Sequence, residues 1–299
     1  MKIDKKLTIK VRAKTFYFAS LFLPKRIRKD IENLYIFCRY LDDIGDEKNT
    51  KKNKSKQHLN QIKKEILKRK SSNLIVSNFI NLQKKCKIEN KFVFHLIEGI
   101  KSDLKKSVDI ENEKQLFFYC YSVAGTVGYM FCKIIKINDK KLLLRAIQLG
   151  IGMQRTNISR DIKEDLELNR IYIPKKIRRF QGDKKKILKS KTLAKSISED
   201  LNKFLIKTNS YYTNSWEGIK ELPLIYSLSI ATAAELYQRI GIKILNKKCN
   251  IWDERIHLML YEKITYTLLA IKKLLFGKQK IDEKIDVECK FLLKKYNIL

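Results

Sequence analysis

Between Pro24 and Pro174 this chain of 299 residues contains no proline, and only Pro223 follows. A proline inside a helix costs about 3 kcal/mol, so nothing interrupts helices over that interval. Apolar residues recur near a 3.6-residue period in 26–47, 73–103, 113–134, 140–168, 191–215, 222–247 and 253–275. No stretch of strand length alternates with period two. Breaks are expected at Lys48–Gln57, Asn138–Asp139 and Ile177–Ser190, the first and last being Lys-rich loops. With 44% hydrophobic residues the chain can bury a large core. The expectation is one all-α domain over 1–299 with a cavity between its helices. Gly125, Gly128, Gly150 and Gly152 fall inside helical segments, where glycine costs about 1 kcal/mol against alanine. Close approach of another backbone or of a bulky ligand would account for them.

Two aspartate pairs stand out, Asp42/Asp46 and Asp161/Asp165. Each pair is four residues apart, one turn or roughly 6 Å along a helix. Like charges at that spacing weaken an isolated helix. Both stripes extend further: Tyr35, Arg39, Asp42 and Asp46 in the first, Gln154, Asn157, Asp161 and Asp165 in the second. At about 100° per residue each set stays within an arc of roughly 60–80°. Asp43 and Glu164 fall just outside, in supporting positions. A solvated amphipathic face explains one such stripe; two with matching chemistry point to a cation between them.

The donor types narrow the cation. Oxygen ligands suit Mg²⁺, which is held by a few carboxylates plus substrate phosphates. Zinc fits poorly, because His58, His95 and His257 are scattered and the six cysteines form no Cys-x-x-Cys. Glycoside hydrolysis needs two carboxyls of opposed roles, not four in matched pairs. A di-iron bundle would want Glu-x-x-His. A magnesium–diphosphate site survives.

The formal charge is +33, from 65 Lys+Arg against 32 Asp+Glu. Such a field invites a nucleic-acid partner. The basic residues are mostly Lys, are spread over most surface segments, and accompany no recognised nucleic-acid motif, so nucleic acid is not expected. Lys-rich surfaces are also drawn to anionic lipid. No stretch reaches the roughly 18–20 apolar residues that span a bilayer. No apolar core follows Met1–Lys6, as a secretory signal would require. The cysteines then read as reduced thiols in a cytoplasmic protein.

The residues also carry a resemblance. Tyr35-x-x-Cys38-Arg39-x-x-Asp42-Asp43-x-x-Asp46 resembles the aspartate-rich signature of the squalene/phytoene synthase family. Gln154-x-Thr156-Asn157-Ile158-x-Arg160-Asp161-x-x-Glu164-Asp165, followed by Asn169-Arg170-x-Tyr172-x-Pro174, resembles its second. Tyr119-Cys-Tyr-Ser-Val-Ala-Gly-Thr-Val-Gly128 is similar to a further family helix, as are Lys14–Ala19 and Tyr237–Gly241 to its opening and late segments. The likeness runs in order from about residue 12 to about 263. Three positions depart from the pattern: Arg155 for an apolar residue, Gly152 for a slightly larger one, and Asn169 for glycine.

The resemblance implies an isoprenoid-synthase-type helical bundle around a central apolar cavity. It implies head-to-head (1′–1) joining of two prenyl diphosphates. Geranylgeranyl diphosphate going to phytoene comes first. The soluble length, the absence of a C-terminal anchor and of a Gly-x-Gly-x-x-Gly dinucleotide signature lean that way. Squalene-type C30 synthesis from farnesyl diphosphate is the alternative, and a non-catalytic assembly factor of the same fold a third reading. By resemblance Asp42, Asp46, Asp161 and Asp165 hold Mg²⁺, with Mn²⁺ as a substitute, and NADPH is not expected. Arg39, Gln154 and Asn157 contact diphosphate or orient its ligands, with Tyr35 extending the first stripe and Tyr237 and Arg255 closing over the diphosphate. Tyr119 lies near the reacting carbons, and Val123 and Val127 wall the tunnel. Partners expected are the prenyl diphosphates, a membrane contacted peripherally to receive an insoluble product, and downstream carotenoid enzymes.

Overall fold

A computed structural model describes residues 13–46, 52–179, 184–248, 250–278, 280–295 and 297–298. The start of the chain, residues 47–51 of the first expected loop, residues 180–183 of the last, and Cys249 lie outside them. The remaining five cysteines are free thiols.

The architecture is helical apart from one short strand pair. In order it comprises α1 (Lys14–Ser20), α2 (Lys25–Gly45), α3 (Lys52–Lys68), α4 (Leu74–Cys86) and α5 (Asn90–Asp103), then α6 (Glu113–Cys120) and α7 (Thr126–Ile134). There follow α8 (Lys140–Arg160), α9 (Ile162–Glu167), α10 (Lys184–Lys189), α11 (Lys191–Glu221), α12 (Leu224–Asn246), α13 (Leu260–Phe276) and α14 (Glu283–Lys295). Two two-residue strands, β1 (Val108–Asp109) and β2 (Arg170–Ile171), pair in parallel, Val108 opposite Arg170. That bridge anchors the segment after α9 beside the end of α5.

Several boundaries differ from the sequence expectation. Residues 52–57 are helix rather than loop, because Ser55, Leu59, Ile62 and Ile66 bury one face of α3 while its lysines face out. The segment 73–103 splits at Lys87, which takes a left-handed conformation (φ 53°) and closes α4 onto the carbonyls of Gln83 and Lys84. Residues 253–259 are not helical, and α13 begins at Leu260. Helices α10 and α14 also form, the latter through buried Ile285, Cys289, Leu292 and Leu293. The segment 140–168 is interrupted at Asp161 (φ −106°, ψ 21°). The second stripe therefore does not lie on one unbroken helix, although the Asp165 amide still donates to the Asp161 carbonyl at 2.9 Å.

Helix α8 is the central element, packed against α7, α11 and α12. The glycines set how near it comes. A Cβ on Gly128 would lie 2.3 Å from the Ala146 carbonyl oxygen, and one on Gly150 would lie 2.4 Å from that of Ala124. Backbones thus touch where α6–α7 crosses α8. Between α6 and α7, residues Tyr121–Gly125 form a π-helical turn, an irregularity often found beside functional sites.

Candidate active site

Helix α2 carries the first stripe inward: Leu34, Phe37 and Leu41 are buried on one side, and Tyr35, Arg39 and Asp42 face a cavity. Asp46 is the residue that caps the end of α2. The second stripe runs along the last turns of α8 and into α9. The eleven residues to which the resemblance gave metal, diphosphate or catalytic roles line one cavity of about 750 Å³. These are Tyr35, Arg39, Asp42 and Asp46; Gln154, Asn157, Asp161 and Asp165; and Tyr119, Tyr237 and Arg255. Val123 lines it as well, whereas Val127 lines a second, apolar cavity of about 200 Å³. Phe16 and Tyr35 border both, so the polar chamber and the apolar pocket adjoin there. The apolar pocket runs on between Leu34, Cys38, Leu149 and Met153 towards Leu222.

The carboxylates fall into two electrostatic kinds. Asp161 is clasped by Arg160 (2.7 and 2.6 Å) and by Arg255 (2.8 and 3.1 Å). Burial pushes its carboxyl up, but the two guanidiniums outweigh that and hold it below its ordinary value. Asp46 accepts a 2.8 Å bond from Arg170, whose other nitrogen donates to the Gly45 carbonyl at 2.9 Å. Asp42 and Asp165 are the opposite case. Burial, and after it repulsion from Asp46 and Asp103, pushes Asp42 to about 7 against the pull of Arg39. Burial and then the Asp161 charge raise Asp165 well above the usual carboxylate range.

Sequence reasoning assigned no role to Asp103, Arg160, Arg170 and Tyr172, all of which line the same cavity. Asp103, at the end of α5, accepts from the hydroxyls of Tyr119 (3.0 Å) and Tyr172 (2.7 Å), whose rings stack 4.5 Å apart. Burial raises its carboxyl to about 6, partly opposed by Arg170. Burial and this carboxylate push both phenols up, so Tyr119 is a hydrogen-bond donor rather than a base. Arg160, Arg170 and Tyr172 stand inside the recognised motifs and could have been found there. Asp103 has no such signal; only the fold brings it in.

Among the described residues no three acidic, His or Cys side chains stand close enough to hold a metal alone. A Mg²⁺ held by one or two carboxylates and phosphate oxygens needs no such cluster. The residues present fit it: crowded, partly buried carboxylates raised by desolvation and by their like charges, with the Asn157 side-chain oxygen buried and unpartnered beside them. Around them Arg39, Arg160, Arg170, Arg255, Lys14 and Lys263 supply cationic groups suited to a diphosphate.

Fold and cavity together define an isoprenoid synthase of the all-helical type. Residues 9–262 match the squalene/phytoene synthase family, and the chain belongs to it. Members of this family are prenyltransferases that join prenyl diphosphates head to head. Among its relatives, the 15-cis-phytoene synthase of Pantoea ananas is 28% identical over 274 residues, covering 88% of each chain. The phytoene synthase of Thermus thermophilus is 29% identical, covering 85% of this chain and 87% of that one. Among solved structures, a dehydrosqualene synthase bound to a ligand superposes with a TM-score of 0.77 at 24% identity, covering 89% and 94%. A squalene synthase from Alicyclobacillus acidocaldarius gives 0.69 at 20% identity, covering 82% and 93%. At those identities the structural likeness speaks for the fold alone.

Proposed function

We propose that the chain is a single head-to-head synthase domain that condenses two geranylgeranyl diphosphates to phytoene. The observation that carries this is the convergence of both aspartate stripes on one polar chamber that adjoins an apolar pocket. Diphosphate has somewhere to be held, and the isoprenoid chain has somewhere dry to lie. The named relatives that cover most of the chain are phytoene synthases, which favours the C20 substrate over C15.

Asp42, Asp46, Asp161 and Asp165 would hold Mg²⁺. When bound, Mg²⁺ supplies neutralisation of the diphosphate leaving group. Arg39, Gln154, Asn157 and Arg255 orient the diphosphate, and Tyr237, which packs on Phe16 with ring centroids 4.8 Å apart, closes the wall behind it. Ionisation of one substrate releases diphosphate and leaves an allylic cation. The double bond of the second attacks it, and proton loss gives a cyclopropylcarbinyl diphosphate. Ionisation of that intermediate, rearrangement and a second proton loss give the C40 hydrocarbon. Tyr119, which lines the chamber and is fixed by Asp103, would stabilise positive charge through its phenol oxygen, while released diphosphate accepts the protons. The apolar pocket excludes water that would quench the cation.

The test is incubation with Mg²⁺ and either the C15 or the C20 diphosphate, without NADPH, read by mass spectrometry. The proposal requires a C40 hydrocarbon with a central triene from C20, abolished by Asp161→Ala. A C30 product from C15 alone moves the chain to the squalene branch. No turnover by well-folded protein favours a non-catalytic member of the family.

A further inference from the structure

Large apolar side chains are exposed at one connected region of the surface. Leu21 and Phe22 stand in the turn between α1 and α2, and Leu224 and Ile225 open α12 at 74% and 55% exposure. Leu275 and Phe276 end α13 at 65% and 77%. Two contacts bring these ends together. The Ser229 hydroxyl donates to the Ala19 carbonyl at 2.9 Å, tying α12 to α1. The Lys220 ammonium donates to the Gly277 carbonyl, tying the end of α13 to the last turn of α11, just ahead of α12. Along α13 the exposed Leu260, Tyr261, Ile264, Leu268 and Leu275 fall within about 100° of arc. Soluble monomers seldom expose apolar surface so continuously without a partner.

What lies beneath and around the region identifies the partner. Leu23 and Leu222, chain neighbours of the exposed pairs, both line the apolar pocket, so its far end lies directly under these two turns. Lys25, Arg26 and Lys29 follow the first turn, and Lys272, Lys278 and Lys280 accompany the end of α13, all exposed. This is an apolar face rimmed by cations on a protein of charge +33. A second copy meeting it face to face would set like charges against each other. An anionic bilayer satisfies both components, since apolar groups enter the acyl boundary and each basic residue at the surface is attracted to anionic headgroups.

We propose that the α1–α2 turn, the start of α12 and the outer face of α13 dock onto an anionic lipid bilayer, setting the end of the apolar pocket against the acyl chains. That a hydrocarbon leaves by this route rests on the condensation proposed above; the docking itself does not.

Sedimentation with vesicles of phosphatidylglycerol and phosphatidylcholine, without substrate, tests it. The protein is expected to bind the mixed vesicles and to bind pure phosphatidylcholine at least about tenfold more weakly. Leu224→Gln/Ile225→Gln/Leu275→Gln leaves charge unchanged and is expected to weaken binding to mixed vesicles at least about tenfold. Its circular dichroism and its turnover in detergent should match the parent's. Absence of binding to mixed vesicles overturns the proposal, as does unaltered binding by the triple variant. A parent dimer that the triple variant splits, without lipid binding, assigns the face to a second copy instead. Loss of turnover in the parent with binding intact would count against the condensation and leave the docking standing.

Discussion

The two aspartate stripes have the same spacing in sequence and opposite arrangements of charge in the fold. In the first, the aspartate deeper in the helix, Asp42, is the one raised to about 7, while Asp46 at the helix end is paired with Arg170. In the second, the order reverses: Asp161 at the helix break is clasped by Arg160 and Arg255, and Asp165 beyond it is raised. Spacing placed four carboxylates on one cavity. What differs is the company the fold gives them: Asp46 meets an arginine 124 residues away, Asp161 meets its neighbour Arg160 and an arginine 94 residues away, and burial raises the other two. Each stripe therefore offers one carboxylate already balanced and one still in need of a cation.

Substituting the two kinds should break them apart. Asp42→Asn and Asp165→Asn are expected to lower kcat by roughly 10³-fold or more, the scale of losing a preorganised charge-stabilising group. The same changes should raise the thermal midpoint, because each removes a partly buried, desolvated carboxylate from beside other carboxylates. Asp46→Asn and Asp161→Asn should also depress turnover but lower the midpoint, since they take a carboxylate partner from buried Arg170 or from partly buried Arg160. Thermal melts beside steady-state kinetics check both. If all four variants shift the midpoint in the same direction, the division is wrong.

The next effect is in pH. Asp42 and Asp103, raised to about 7 and about 6, hold protons in the folded state that the unfolded chain has already lost above about pH 4. Between those limits the native state binds more protons, so stability falls as pH rises. The metal-free protein should melt several degrees lower at pH 7 than at pH 5, and Asp42→Asn should flatten that slope. Addition of Mg²⁺ with inorganic diphosphate at pH 7 should restore the midpoint, and chelation should remove the gain.

How much of this was legible beforehand follows the same division. The helical class and eleven of the residues lining the cavity could be read, because periodicity and motif both report which face a residue occupies. Asp103 could not: β1 pairing with β2 brings Tyr172, in the chain after α9, back to it at the end of α5, and the packing of α6 brings Tyr119. Helix α3 was hidden by its lysines, whose solvated face masks a narrow buried stripe. The departures from the family pattern are now explained in part. Asn169 adopts φ 61° and donates to the Lys106 carbonyl at 3.1 Å, so it fills a left-handed position that glycine also suits. Arg155 is buried against Glu113 (3.0 Å) and Thr208 (3.1 Å) and faces the Phe204 ring, a pairing within the core outside the cavity.

Smaller effects sharpen the picture. Arg255→Ala should raise KM for the diphosphate about tenfold with a lesser change in kcat, since its side chain is more than half exposed. Asn169→Gly should be nearly neutral, while Asn169→Val should cost about 1–2 kcal/mol, the penalty for a side chain without local hydrogen bonding in that conformation.

The most direct measurement is calorimetric binding of geranylgeranyl thiodiphosphate, an analogue that ionises poorly, with and without Mg²⁺. The account predicts tight binding that requires the metal and that is lost in Asp42→Asn and in Asp165→Asn alike, because both stripes serve one diphosphate chamber. Binding that is unchanged by removing the metal, or that survives the loss of either aspartate, would contradict it.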